Sequence, residues 1–323
     1  MGSKWVLWFV LRRLLLAVPL VLAVVVVNFV LIKLAPGDPV TVLIGDQPAS
    51  PEYIAQIRAQ YGLDKPMLEQ LLIYLQHVLQ GDLGQSLAQH QAVSTLLIER
   101  LGQTLRLTST ALAIAIVIGV LLGILAARFR GGPIDGLTQT TTLLGFSVPE
   151  FWLGQLLIVV FAVTLGWLPS GGAQPVRGSN FTFAQLLPYL VLPALALSFR
   201  YTAIIGRMTR SAMLDVSGSE YITAARSRGL LEGQVLRRHM LRNIAPPVVT
   251  VIGYNLGFIL AGSVMIETVF SWPGIGRLLY ESISKRDYPV MTGILLMISI
   301  CVVLANLITD ILHVLLDPRV ARE

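Results

Sequence analysis

Six stretches of this chain run 19 residues or more without an Asp, Glu, Lys or Arg: Leu14–Ile32, Leu107–Ala127, Phe151–Val176, Gly178–Phe199, Asn243–Ile266 and Tyr288–Thr309. At about 1.5 Å of rise per residue, roughly 20 helical residues cross a hydrocarbon core. Each run is therefore long enough to span a bilayer. The third turns polar and rich in Gly and Pro from Gly166, so its helix is predicted to start earlier, near Gly136, and to carry Glu150 inside. With 54% hydrophobic and 13% charged residues, this much apolar surface cannot be hidden in one soluble core. The expected fold class is all-α: a polytopic membrane protein with six transmembrane helices.

Arg12 and Arg13 before the first run could mark a secretory signal. The 19-residue run exceeds an ordinary signal core, however, and the following "KLAPGDP" lacks a small-x-small cleavage pattern, so a retained anchor is expected. If the N-terminus is cytoplasmic, 14 of the 24 Lys and Arg residues fall on that side and nine on the other, four of the nine within the long 35–106 segment. The bias places both termini inside. It also makes the net charge of +6 a matter of topology rather than of nucleic-acid binding, for which no basic and aromatic interleaving exists. The expected organisation is an N-terminal anchor and first span (1–34), an extracytoplasmic helical segment (35–103), and a five-helix core (104–323) with a long inner loop at 207–243. The single Cys301 lies in the sixth run and permits no internal disulfide, and the four histidines form no metal-ligand pattern. No metal site is expected.

In the 35–103 segment, Ser50, Pro51 and Gly62 delimit one short helix. Apolar residues from Met67 to Leu79 recur at helical spacing before Gly81, giving an amphipathic second helix that packs on the spans or membrane surface, or serves as a docking element. In the inner loop, "SGSEYITAARSRGL" places Ser217 and Glu220 at capping-box spacing and Gly229 where a left-handed residue would stop a helix of about three turns. Ala224 and Ala225 would offer a low surface to another protein. Thr223 lies beside them, and Arg226 and Arg228 supply charge around it. Local chemistry alone leaves a solvated surface helix equally open.

"TAARSRG" resembles the loop of binding-protein-dependent ABC importer permeases, Glu-Ala-Ala, three residues, Gly, nine residues, Ile-x-Leu-Pro. Ala224, Ala225, Gly229 and Leu241 match, while Thr223, His239 and Arg242 depart from it. The words "APGDP" (35–39), "YGLDKPM" (61–67), "GDLGQSL" (81–87), "GRMTRSAML" (206–214), "ETVFSWPGIGRLL" (267–279), "RDYPV" (286–290) and "LLDPRV" (315–320) are similar to the dipeptide, oligopeptide and nickel branch. The resemblance implies a type I importer permease in the inner membrane of a bacterium or archaeon, forming half of a translocation pathway. It implies a second homologous permease, two ABC ATPase subunits engaged through the 217–229 helix, and an extracytoplasmic substrate-binding protein. ATP and Mg would be bound by those partners. No lysine of this chain follows a glycine, so it has no P-loop and no cofactor of its own is expected. The cargo implied is a small peptide, with nickel or a metal chelate as the alternative.

Pathway or gate residues are sought where polar groups enter spans. Ser147, Pro149 and Glu150 in "GFSVPEFWLG" would put a kink and a carboxylate roughly 14 residues, or ~20 Å, along the third helix. That acid either gates the pathway or pairs structurally with a residue such as Arg200. Trp272 in "FSWPGIGRLL" would sit at headgroup depth as an anchor, a gate or a docking rim. Gly253 and Gly257 are expected to pack against the partner permease. A secondary transporter or channel is the rival class, but no internal repeat supports it.

Overall fold

The computed structural model describes residues 3–34, 50–60, 64–172 and 183–316. "APGDP" and parts of "YGLDKPM" and "LLDPRV" lie outside them, as does Gly62. In chain order the helices are α1 (Ser3–Leu34), α2 (Pro51–Gln60), α3 (Met67–Leu79), α4 (Val93–Arg128), α5 (Pro133–Ser147) and α6 (Glu150–Leu157), which continues as a π-helix over Ile158–Thr164. Then come α7 (Phe183–Ser217), α8 (Glu220–Ser227), α9 (Leu241–Val269), α10 (Ile275–Ser284) and α11 (Tyr288–Leu316). A turn at Glu232–Gln234 and a π-helix at Val235–Met240 lead into α9. Among the described residues the only β pairing is an isolated bridge between Gln85 and Ala92.

Four helices are long and apolar enough to cross a membrane, and two bent pairs raise the number to six if each is one span. The third span differs from the continuous helix expected from near Gly136. It breaks after Ser147, and α5 and α6 meet at 106°. Pro149 has no amide to donate and drives the residue before it out of helical geometry; Val148 is accordingly extended, at φ −87° and ψ 121°. Glu150 is thus the first residue of a second segment, and the ~20 Å placement along one helix does not hold.

The chain divides into two compact units. One comprises Met1–Gln103 and Gly274–Cys301. Its core joins Val93, Leu96 and Leu97 of α4 to Ile275 and Leu278 of α10 and to Val290 and Ile294 of α11. The words "GDLGQSL" and "RDYPV" meet there. The buried Asp287 carboxylate accepts hydrogen bonds from the Ser86 hydroxyl and from the amides of Leu87 (3.2 Å) and Ala88 (3.1 Å). The Gln89 amide closes the turn on Ser86 Oγ at 2.9 Å. On the approach to this turn, the Gly84 amide and then His77 hold the Asp82 carboxyl below its ordinary range.

The other unit comprises Thr104–Pro273 and Val302–Glu323. Glycines set its helix spacing. A Cβ at Gly123 of α4 would stand 2.6 Å from the Gly206 carbonyl oxygen of α7, so two backbones touch where any side chain would separate them. Gly253 packs on Thr309 and Gly257 faces Val302, both in α11. This glycine pair therefore serves contact within the chain, not the expected contact with a second permease. Asp135 of α5 grips Arg210 of α7 with a fork, Nε to Oδ1 at 2.6 Å and Nη2 to Oδ2 at 2.9 Å, while the Gly131 amide donates to Oδ2.

Trp272 is fully buried, with Phe270, Ile266 and Leu197 in its cluster, and its amide donates to the Glu267 carbonyl at 2.8 Å. The indole is thereby enclosed by protein and does not serve as an anchor among lipid headgroups. Ser271 takes a left-handed φ of 50°, which turns the chain back under the end of α9 and carries the indole into the core.

Candidate functional site

The short helix α8 stands apart from the spans in length and composition. Its N-cap is Ser219, whose carbonyl accepts from the amides of Ile222 and Thr223, whereas the Ser219 hydroxyl donates to the Val216 carbonyl. The expected capping box is absent: Ser217 is the last residue of α7, its hydroxyl donates to Leu214, and Glu220 opens α8. The reason is register. α7 continues three residues beyond Leu214, so Ser217 is spent on closing that helix and Gly218 makes the turn. Gly229 does stop α8, with φ +78° and its amide bonded to the Arg226 carbonyl at 2.9 Å.

Side-chain burial divides α8 into two faces. Ile222 and Ala225 are buried against Ala212, Met213, Val235, Met240 and Ile244, which seats the helix on its own chain. Tyr221, Thr223, Ala224, Ser227 and Arg228 are exposed. The Ala-Ala pair is therefore split: Ala224 faces outward, and Ala225 is part of the support beneath. Arg226 is also turned to internal use, forking onto Glu232 with Nε to Oε1 at 2.8 Å and so bracing the glycine corner. What remains free to meet another molecule is a small-residue surface flanked by Tyr221 and Arg228.

The second candidate lies at the break in the third span. Ser147 and Pro149 are exposed, and Glu150 is half-buried with Arg200 Nη1 3.9 Å away. The two charges face each other within one unit at the outer edge of ion-pair range, with the arginine the more exposed of the two. A Glu150→Gln chain is expected to fall in folded yield, read by fluorescence-detected size exclusion, while transported cargoes keep their order of preference. A changed order with normal yield would assign the acid to the pathway instead.

A buried acid that the sequence reading passed over is Glu267, fully enclosed near the end of α9. It accepts from Thr104 Oγ1 at 2.8 Å and from Ser263 Oγ at 3.1 Å, tying α4 to α9. The available signal was the i, i+4 spacing of Ser263 and Glu267, which puts hydroxyl and carboxylate on one helix face.

These features define a class: a multi-pass helical membrane subunit that seats a short, arginine-bearing helix on the ends of its long helices, stopped by a glycine corner and exposed on its other face. The chain belongs to the family described as binding-protein-dependent transport system inner membrane component, which matches residues 119–322, and the N-terminal part of such membrane components matches residues 6–108. It is 40% identical to the di/tripeptide transport system permease protein DppB of Pseudomonas aeruginosa, covering 98% of this chain and 99% of that one. It is 38% identical to the dipeptide transport system permease protein DppB of Escherichia coli, with the same coverage, and 42% identical to a putative peptide permease protein of Brucella suis, covering 97% and 98%. Among solved structures, the inward-facing MetNI methionine ABC transporter superposes with a TM-score of 0.54 at 23% identity, covering 69% of this chain and 96% of that chain. That likeness bears on the fold alone.

Proposed function

We propose that this chain is the permease subunit of an ATP-driven importer of small peptides. The observation behind the reading is identity near 40% along almost the whole chain to permeases of dipeptide and di/tripeptide systems. In this reading a second, homologous permease completes the pathway, two ATPase subunits bind and hydrolyse ATP with Mg, and an extracytoplasmic binding protein delivers the peptide. The chain itself performs no chemistry. Its exposed α8 surface seats in a groove on an ATPase, and nucleotide-driven closure of the ATPases draws the α8 helices of the two permeases together. ATP must favour one arrangement over the other, since a ligand with equal affinity for both shifts nothing.

The test is uptake of labelled dipeptide and labelled nickel, measured side by side in cells stripped of their own importers and given this chain with its neighbouring transport genes. Peptide accumulation that vanishes when this chain is omitted is the expected result. Nickel accumulation without peptide would replace the cargo, and accumulation insensitive to loss of ATP would favour the rival secondary transporter.

A further inference from the structure

We propose that α3 lies in the headgroup boundary of the bilayer, with Leu68, Leu72 and Leu79 reaching into the acyl chains. At about 100° per residue, every apolar side chain of α3 except Ile73 falls in one continuous arc of roughly 160°. Along one edge of that arc Tyr74 is half-buried and stacks on Phe29 of α1, with ring centroids 5.8 Å apart. Along the other edge Leu68, Leu72 and Leu79 stand 69%, 58% and 80% exposed.

The stack fixes the depth. Phe29 is the penultimate residue of the apolar stretch Leu11–Val30, so the middle of α3 lies beside the end of a span. Elsewhere on α1, Leu15, Leu16 and Leu20 are likewise more than half exposed, as side chains of a span in lipid are. The polar face is turned the other way: Glu69 is engaged by Lys65 at 2.7 Å and His77 by Asp82 at 3.0 Å.

Composition selects lipid over a protein partner. The exposed edge is leucine throughout, whereas protein interfaces draw their energy chiefly from Trp, Tyr and Arg anchors, with Leu under-represented. It also selects the mode of binding. α3 contains no Lys or Arg, so apolar burial rather than attraction to anionic headgroups holds it in place, and its depth does not change with salt.

The test uses the full chain with its co-purifying subunits, reconstituted in phosphatidylethanolamine and phosphatidylglycerol vesicles. In a Cys301→Ala background, nitroxide labels are placed one at a time through Leu68→Cys, Leu79→Cys and Gln76→Cys. Labels at 68 and 79 are expected to relax more with oxygen than with chromium oxalate, the label at 76 to show the reverse, and neither pattern to change between low and high salt. Chromium oxalate access at both leucine positions would overturn the proposal by placing the stripe in water. Protection from both relaxants would overturn it by placing a protein there. The inference rests on the membrane-spanning role of α1 and not on the cargo, so a failed uptake assay leaves it standing.

Discussion

An Asp287→Ala chain is expected to exchange its Leu87 and Ala88 amides for deuterium roughly 10- to 100-fold faster than the parent, measured by mass spectrometry on peptides spanning 81–92. The carboxylate is buried and receives the Ser86 hydroxyl together with both amides, which are part-buried. Removing it leaves three donors to find water. Each buried group left unpaired costs about 1–3 kcal/mol, and about 1.4 kcal/mol is tenfold in an opening equilibrium. Asp287→Asn keeps one carbonyl oxygen and should fall between. The effect should be local to the unit containing α10 and the start of α11, because the clamp fastens the α10–α11 joint to the turn that precedes α4. Unchanged exchange at both amides would show that the turn is held by its own backbone bonds, Ser86 to Gln91 and Val93 to Gly84, and that Asp287 is dispensable.

How far the sequence reached depends on the length scale of the signal. Charge-free runs mark spans because lipid penalises every charge along some 20 residues, and the six expected spans correspond to four long helices and two bent pairs. Gly229 was readable because a helix stop needs one residue in one conformation. The inward turn of Ala225 was not, since an alanine pair on an eight-residue helix looks the same whichever face is covered. Only the positions of Met213, Val235 and Met240 decide it. Trp272 was misplaced for a related reason: tryptophan is at home both in an interface and in a core, and the left-handed Ser271 that chooses between them has no sequence signature. Asp287 and Ser86 lie 201 positions apart, so "GDLGQSL" and "RDYPV" could be noticed as words but not as two halves of one clamp.

A Gly229→Pro chain is expected to insert in the membrane at parental levels yet lose both peptide uptake and co-purification of the ATPase. Proline is locked near φ −65°, whereas residue 229 stands at +78°, and the substitution also removes the amide bonded to the Arg226 carbonyl. It further disfavours the present conformation of Arg228, at φ −79° and ψ 5°. The last turn of α8 must then unwind, and with it the placement of Arg228 and the brace from Arg226 to Glu232. Insertion survives because the site lies beyond the end of α7 and before α9, outside the hydrogen-bonded body of either. Two further variants separate support from contact. Ala225→Arg forces a charge beneath α8 among Ile222, Val235 and Met240, so it should lower the thermal midpoint of the chain before any question of partners arises. Arg228→Glu alters only an exposed side chain, so it should leave that midpoint in place and still weaken ATPase retention. Retained ATPase and normal uptake in Gly229→Pro would remove α8 from the coupling path. Loss of uptake in Ala225→Arg alone, with Arg228→Glu normal, would mean that the helix is scaffold and that the ATPase grips the chain elsewhere.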